Sequence, residues 1–301
     1  MGISRATIKL LMREGNREKF SGKVLTIGVQ NIFPTTNLDL RKLARKMNFQ
    51  LKSSLDVLPL VKNTTRDNFI TDDLLFSSLG FKDIDTLDCS DFEQCTIKHD
   101  LNIDVPDDLY EKYDLIFDGG STEHIYNVPK VLENYHKMLR NGGRIIHALP
   151  TNNYVDHGFY MFSPTLFWDY YSANNWEISD SLFIRHPKNP DEGLWDIFVY
   201  SPHCLGKISY GSLSKGRCAI FFVVKKINKS TFNASVQQGF YLKKWDTKVN
   251  TANLRFNKGD SWMKKMISIL PGWVKLVLRP TYYYVFSKIP LRFLLKNIGR
   301  Y

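Results

Sequence analysis

The chain has 301 residues, 43% of them hydrophobic, with 41 Lys and Arg against 30 Asp and Glu for a net charge of +11. This composition fits a globular protein with a sizeable core, and the length admits one large domain with additions. Cys89, Cys95, Cys204 and Cys218 form no CxxC pair, which argues against a disulfide framework or a cysteine metal site and for free thiols in a reducing, cytoplasmic setting. The opening MGISRATIKLLMREGN has neither a long apolar core nor a small-residue cleavage site, so no signal peptide is expected; Ala6 stands where a myristoylation pattern wants Ser or Thr.

In chain order, KVLTI at 23–27 predicts a short strand that stops at Gly28. Leu40, Leu43, Ala44 and Met47 recur at helical spacing within 38–49, and 72–79 is a second amphipathic segment ended by Gly80. IDTLD at 84–88 and CTIKHD at 95–100 predict two strands, each closing on an aspartate, and 104–112 is an acidic, proline-containing connection. YDLIF at 113–117 predicts a buried strand ending at Asp118-Gly119-Gly120. The helical spacing of Val131, Leu132, Tyr135, Met138 and Leu139 follows, then a Gly142-Gly143 turn and a strand over 144–149. Strand, helix and strand in that order form a βαβ unit and predict a parallel sheet. Beyond Pro150, Ser163 and Pro164 open a helix as N-cap and first helical residue. Strands over 176–185 and 218–225, with a polar loop over 185–192 after the first, predict an antiparallel addition to the sheet. His99 and His147 fall inside strands and read as packing residues.

The strand ends Gly28, Asp88, Asp100 and Asp118 fall where open α/β sheets bind ligands. A glycine after the first strand allows close approach of a ligand, and an acid after the second accepts hydrogen bonds from ribose hydroxyls. The order of VLTIGVQNI, LDCSDFEQCTIKHDLN, FDGGSTEHIYN and LRNGGRIIHALP resembles the class I S-adenosylmethionine (SAM)-dependent methyltransferases, over roughly residues 20–225, and within them bacterial proteins of glycan and small-molecule biosynthesis. In the first motif Gly28 matches the first glycine of G-x-G-x-G, while Gln30 and Ile32 replace the others and Thr26 stands where an acid is common. The resemblance implies a Rossmann-like, doubly wound, mostly parallel seven-stranded sheet in a domain of 1–225; the charge and composition mark off a connecting segment 226–260 and a helical basic extension 261–301. The resemblance also implies SAM as cofactor, held by Gly28, Gln30, Asp88, Asp100, Leu101, Asp118, Gly119 and Gly120.

Methyl transfer to an alcohol needs an in-line acceptor and a group that takes its proton. His124 or His157 is the candidate base, since histidine titrates near neutrality. Glu123 either orients it, binds a divalent cation together with acceptor hydroxyls, or is a first-turn helix acid. The acceptor expected by analogy is a hydroxyl of a sugar, glycan precursor or other small molecule. A non-catalytic methyltransferase-like binding protein is the alternative that Thr26 and Gln30 favour. A nicotinamide-dinucleotide enzyme is disfavoured, because Gly28-Val29-Gln30 lacks the glycines that admit a pyrophosphate.

The charge is uneven. Residues 261–301 hold eight basic and no acidic groups, so the remaining 33 basic and 30 acidic groups leave residues 1–260 at only +3. Interleaved with Trp262, Trp273 and Tyr282–Tyr284, and broken by Pro271, Pro280 and Pro290, this stretch reads either as amphipathic helices for an anionic membrane surface at the inner face, or as helices packed on the core. Nucleic acid is disfavoured for want of a recognition motif.

Overall fold

A computed structural model describes residues 2–32, 35–52, 69–188, 193–206, 213, 215–246 and 297–300. The chain opens with β1 (Gly2–Ile3) and α1 (Arg5–Arg17). Next come β2 (Lys23–Ile27), β3 (Asn31–Ile32), α2 (Asn37–Lys46), α3 (Asp72–Leu79), β4 (Asp83–Asp88) and β5 (Ile97–Lys98). The central unit is β6 (Tyr113–Asp118), a 3-10 turn (Thr122–His124), α4 (Val128–Met138) and β7 (Leu139–Asn152). It is followed by α5 (Pro164–Ala173), β8 (Glu177–His186), β9 (Asp196–Val199), β10 (Arg217–Lys225), α6 (Gly239–Asp246) and β11 (Asn297–Arg300).

The parallel part of the main sheet runs β5-β4-β2-β6-β7. The chain works outward from β2 through β4 to β5, then crosses back to β6 and outward again to β7. The reversal lies between β2 and β6, and a ligand crevice is expected at their carboxyl ends, where Gly28 and Gly119-Gly120 stand. Four antiparallel pairings continue the sheet through β10, β8, β9 and the edge strand β11. The expected seven-stranded, mostly parallel sheet is therefore corrected to a mixed one: among the described residues it has eight strands, with β11 as a ninth on the outer edge. Parallel neighbours need crossover connections, whereas β8, β9 and β10 have no helix between them among the described residues and pair antiparallel; α6 comes between β10 and β11. The basic extension lies outside the described residues except for 297–300, which form a strand and not a helix.

Alternation along each strand splits the core between the two faces. Val24, Leu115, Phe117, Ile146 and Phe221 face α1, α2 and α3. Leu25, Ile27, Ile116, Ile145 and Phe222 face α4 and α5. Local signals set the helix starts. Thr36 and Asp39 form a reciprocal capping box on α2, Thr71 caps α3, and Ser163 Oγ accepts from Thr165 N at the head of α5.

The N-terminal segment, unassigned from sequence, forms α1 and buries Ile8, Leu10, Leu11 and Met12. Glu14 of α1 meets Arg144 of β7 at 2.7 Å, with both side chains nearly sealed from solvent. A pair of this kind fixes where the helix sits more than it adds stability. Burial raises the Glu14 carboxyl above its ordinary range, against the lowering effect of Arg144.

Gly142-Gly143, expected as a turn before the strand, lie within β7. The ladder to β6 jumps from Tyr113↔Leu139 to Leu115↔Arg144, so residues 140–143 bulge out of it. Gly142 takes φ 81° there, a left-handed conformation that suits glycine, and its N–H is taken by the Lys226 carbonyl at 2.8 Å.

Candidate functional site

At the end of β2, Gly28 turns with φ 73° and its N–H reaches the Leu87 carbonyl at 2.8 Å, tying β2 to β4. Gln30 does not present its side chain to a cleft. It is 2% exposed, and Nε2 folds back to the Ile27 carbonyl at 2.9 Å while its backbone N–H donates to Asp72 Oδ2 at 3.0 Å. Gln30 Oε1 has no partner and lies against Gly119: a Cβ there would stand 2.7 Å from it and 2.5 Å from Phe117 Cε1. The Gln30 side chain is thus engaged internally. It lies between the β2 turn and Gly119, and any Cβ at 119 would press on the Phe117 ring and the Gln30 amide.

Asp88 and Asp100 stand side by side at the β4 and β5 ends, with the His99 N–H on the Asp88 carbonyl at 2.8 Å. Asp88 Oδ1 accepts from Ser90 N at 3.0 Å and Asp100 Oδ1 from Asn102 N at 2.9 Å. The Asn102 hydrogen bonds hold the Asp100 carboxyl below its ordinary range. Asp88 is half-buried and Asp100 exposed, so both have oxygen surface for a ligand. The Leu101 side chain is core, packed with Val105 and Leu109, which leaves only its backbone for a cofactor.

Asp118 is fully buried, and both carboxylate oxygens are taken internally. Oδ1 accepts from Ser121 N at 3.3 Å and Thr122 N at 3.2 Å; Oδ2 accepts from Thr122 Oγ1 at 2.6 Å and meets His147 Nδ1 at 2.9 Å. His147 Nε2 lies 2.6 Å from Tyr171 Oη, and Thr122 Oγ1 lies 3.0 Å from Tyr135 Oη. Asp118 therefore organises the turn that follows β6, with both carboxylate oxygens engaged by internal partners.

That turn carries Glu123 and His124, and the loop after β7 brings His157 to them. The His157 Nε2–Glu123 Oε1 distance is 3.6 Å and the His124 Nε2–Glu123 Oε1 distance 3.9 Å. The two imidazoles stand edge to face with centroids 5.0 Å apart. The loops are locked together by Tyr160 N–H on the Glu123 carbonyl at 3.1 Å and by Gly158, where a Cβ would sit 2.8 Å from that same oxygen. Glu123 is 1% exposed and its Oε2 has no partner. Burial, then the charge of Asp118, pushes its carboxyl up to about 8. Burial, then His157, lowers the His124 imidazole; burial, then Arg217, lowers that of His157. Near neutral pH the cluster is a protonated acid beside two neutral imidazoles, each with a lone pair to accept a proton or coordinate a cation. The three side chains each offer one ligand atom within 4.8 Å of the others, and among the described residues this is the group of His, Cys, Asp and Glu that fits a metal ion.

A cavity of about 250 Å³ opens beside the cluster. Gly119, Gly120, Glu123 and His157 line it, together with Tyr154, His186, Trp195, Arg217 and the N-terminal end of α1. Asp88 and Asp100 do not line it, so these strand-end aspartates and the histidine cluster occupy two separate stretches of the carboxyl edge. His147, Tyr154 and Arg217 were not legible as site residues. His147 sits in the apolar run RIIHALP, whose one sequence signal is a polar group in an otherwise buried strand.

No family model and no curated protein matches the chain. Several solved structures resemble it, and they are SAM-dependent methyltransferases. One is the 1,6-didemethyltoxoflavin-N1-methyltransferase of Burkholderia thailandensis with S-adenosylhomocysteine (11% identity, 74% of this chain and 78% of that one, TM-score 0.40). Another is the O-methyltransferase of a trans-AT PKS multienzyme of Brevibacillus brevis, also with S-adenosylhomocysteine (12% identity, 76% and 73%, TM-score 0.36). A third is described as a candidate methyltransferase of Methanococcus maripaludis (14% identity, 48% of this chain, TM-score 0.27), of which the chain spans 55%, little more than half the length. These overlaps are partial, and the functional reading rests on the site.

Proposed function

We propose that the protein is a SAM-dependent methyltransferase acting on a hydroxyl of a sugar, glycan precursor or other small molecule. The observation that carries this reading is the Glu123–His124–His157 cluster beside Gly119-Gly120, at the carboxyl edge where the strand order reverses. In this reading Asp88 takes the ribose hydroxyls, Asp100 and the Leu101 backbone meet the adenine, and Gly28, Gly119 and Gly120 let the sulfonium end approach the backbone. The acceptor hydroxyl lies in the cavity beside His157. Its proton passes to an imidazole of the cluster as the oxygen attacks the methyl carbon. The carbon–sulfur bond breaks toward sulfur, leaving S-adenosylhomocysteine. Burial keeps both imidazoles neutral near pH 7, the form that accepts a proton.

The same three ligand atoms support a second chemistry, a divalent cation that lowers the pKa of the acceptor hydroxyl. A non-catalytic binding protein remains the rival, on the strength of Thr26 and Gln30. Calorimetry with SAM and S-adenosylhomocysteine is the deciding experiment: micromolar binding of both supports the proposal, and no heat with either removes it. The sequence of 261–301 supports a peripheral contact with an anionic membrane; among the described residues no helix is long and apolar enough to cross one.

A further inference from the structure

The cavity beside the cluster has a cationic wall that proton transfer does not use. Glu123 and Arg217 are the acidic and basic residues that line it. The Arg217 guanidinium lies 5.1 Å over the Tyr154 ring. Such a contact uses the charge of the cation and leaves its N–H donors unspent. No carboxylate pairs with Arg217 among the described residues, and Glu123, the acid in the same cavity, faces the two histidines.

The wall is held rigidly. Tyr154 Oη is 2.7 Å from His186 Nε2, and His186 Nδ1 donates to the Pro187 carbonyl at 2.8 Å, so Nε2 is the acceptor and the tyrosine hydroxyl donates to it. His186 in turn stacks on Trp195 at 4.8 Å and 23°. Also lining the cavity are Gly2 and Ile3 of β1 with Ser4 and Thr7, the N-cap and first turn of α1, a 13-residue helix with no acidic residue in its first turn. That end of a helix carries partial positive charge. Phe117, Ile184, Ile220 and Phe221 make much of the remaining lining apolar, which strengthens any charge pairing within it. At about 250 Å³ the space is below the ~300–1,000 Å³ typical of drug-sized ligands, so the occupant is small.

We infer that Arg217 anchors a carboxylate or phosphate group of a small organic anion in this cavity, and that this anion is the acceptor, its hydroxyl directed at His157. The identity of the anion as acceptor rests on the methyl-transfer reading; the Arg217 subsite does not.

The test is calorimetry on the full chain, with and without saturating S-adenosylhomocysteine, at fixed ionic strength. The probes are D-glucuronate, D-glucose 6-phosphate and neutral D-glucose, and the proteins are wild type, R217K and R217Q. Glucuronate or glucose 6-phosphate binds wild type at least tenfold more tightly than glucose; R217Q loses that preference and R217K keeps part of it. Tighter binding of glucuronate assigns a carboxylate, and tighter binding of the phosphate assigns a phosphate. Equal binding of all three probes, no binding of either anion, or an undiminished preference in R217Q overturns the inference. Anion binding without any S-adenosylhomocysteine binding removes the methyl-transfer reading and leaves the subsite standing.

Discussion

The carboxylate of Asp118 lies 2.9 Å from Nδ1 of His147, both residues sealed from solvent, and this contact joins the end of β6 to the middle of β7 beneath the site. The same carboxylate holds both N–H groups and the hydroxyl of the turn that presents Glu123. The histidine is in effect the anchor of that turn. Replacing His147 with Phe takes one of two partners from Asp118 Oδ2, which keeps Thr122 Oγ1, and leaves Tyr171 Oη without its imidazole partner; a buried polar group left unpaired costs about 1–3 kcal/mol. H147F should therefore unfold at clearly lower urea concentration than wild type. H147N, which can still donate to Asp118, should recover part of the loss. Equal midpoints for wild type and H147F would mean that the contact contributes nothing.

The cluster predicts a separation of turnover from cofactor binding. The double variant H124Q/H157Q should lower kcat by about 10²–10⁴, the usual contribution of a positioned general base. Its affinity for S-adenosylhomocysteine should stay within about threefold of wild type, because the groups assigned to the nucleoside are Asp88 and Asp100. D88N should do the opposite, weakening the cofactor and leaving saturated turnover nearly intact. Unchanged turnover in the double variant would take both histidines out of the chemistry.

Metal removal separates the two chemistries of the cluster. Under proton transfer to an imidazole, dialysis against EDTA leaves the rate within twofold of the untreated protein, and added Mg²⁺ or Zn²⁺ does not raise it. A rate lost on chelation and restored by one of these ions would assign Glu123, His124 and His157 as ligands instead.

Away from the site, His136 makes stability depend on pH. Burial, then Lys226 and Lys137, depresses its imidazole to about 4 from an ordinary value near 6.5. Its ring packs against Phe232 at 4.9 Å and Trp176 at 5.7 Å, and Nδ1 has no partner. The folded form thus resists a proton that the unfolded chain accepts. The contribution is complete above about pH 6.5 and is lost as pH falls toward about 4. H136L should be no more stable than wild type at pH 7.5 and should gain on it steadily between pH 6.5 and 4.5. Parallel urea midpoints across that range would contradict the assignment.

Much of the parallel half was legible in the sequence, because there local signals and tertiary demands agree. KVLTI became β2, Gly80 ends α3, and Ser163-Pro164 open α5 as expected. The antiparallel half was less so. Short β9 carries little pattern of its own, and which strand lies beside β7 depends on contacts remote in sequence. At the site, Glu123, His124 and His157 could be picked out as chemistry-bearing residues after strand ends. The direction in which a side chain points could not: Gln30 and Asp118 occupy strand-end positions, yet both turn inward, drawn by backbone groups that only the folded chain brings near them. Arg217 lacked any local signal, since its place in the cavity comes from β10 lying against β7 and β8.

The C-terminal charge leads to the last prediction. With the body 1–260 at +3 and eight basic groups in 261–301, any attraction to an anionic surface must come from the tail. Each Lys or Arg near such a surface contributes about 1 kcal/mol, an effect that salt screens. The full-length protein should co-sediment with vesicles containing phosphatidylserine, and less so as salt rises. The variant K264E/K265E/K275E/R279E should partition more weakly by on the order of a thousandfold or more. Vesicles of neutral phosphatidylcholine should bind neither protein well, because the aromatic residues of the tail then act without the charge. If the variant sediments like wild type, the basic groups point into water and the apolar residues of 261–301 are committed to the protein's own surface.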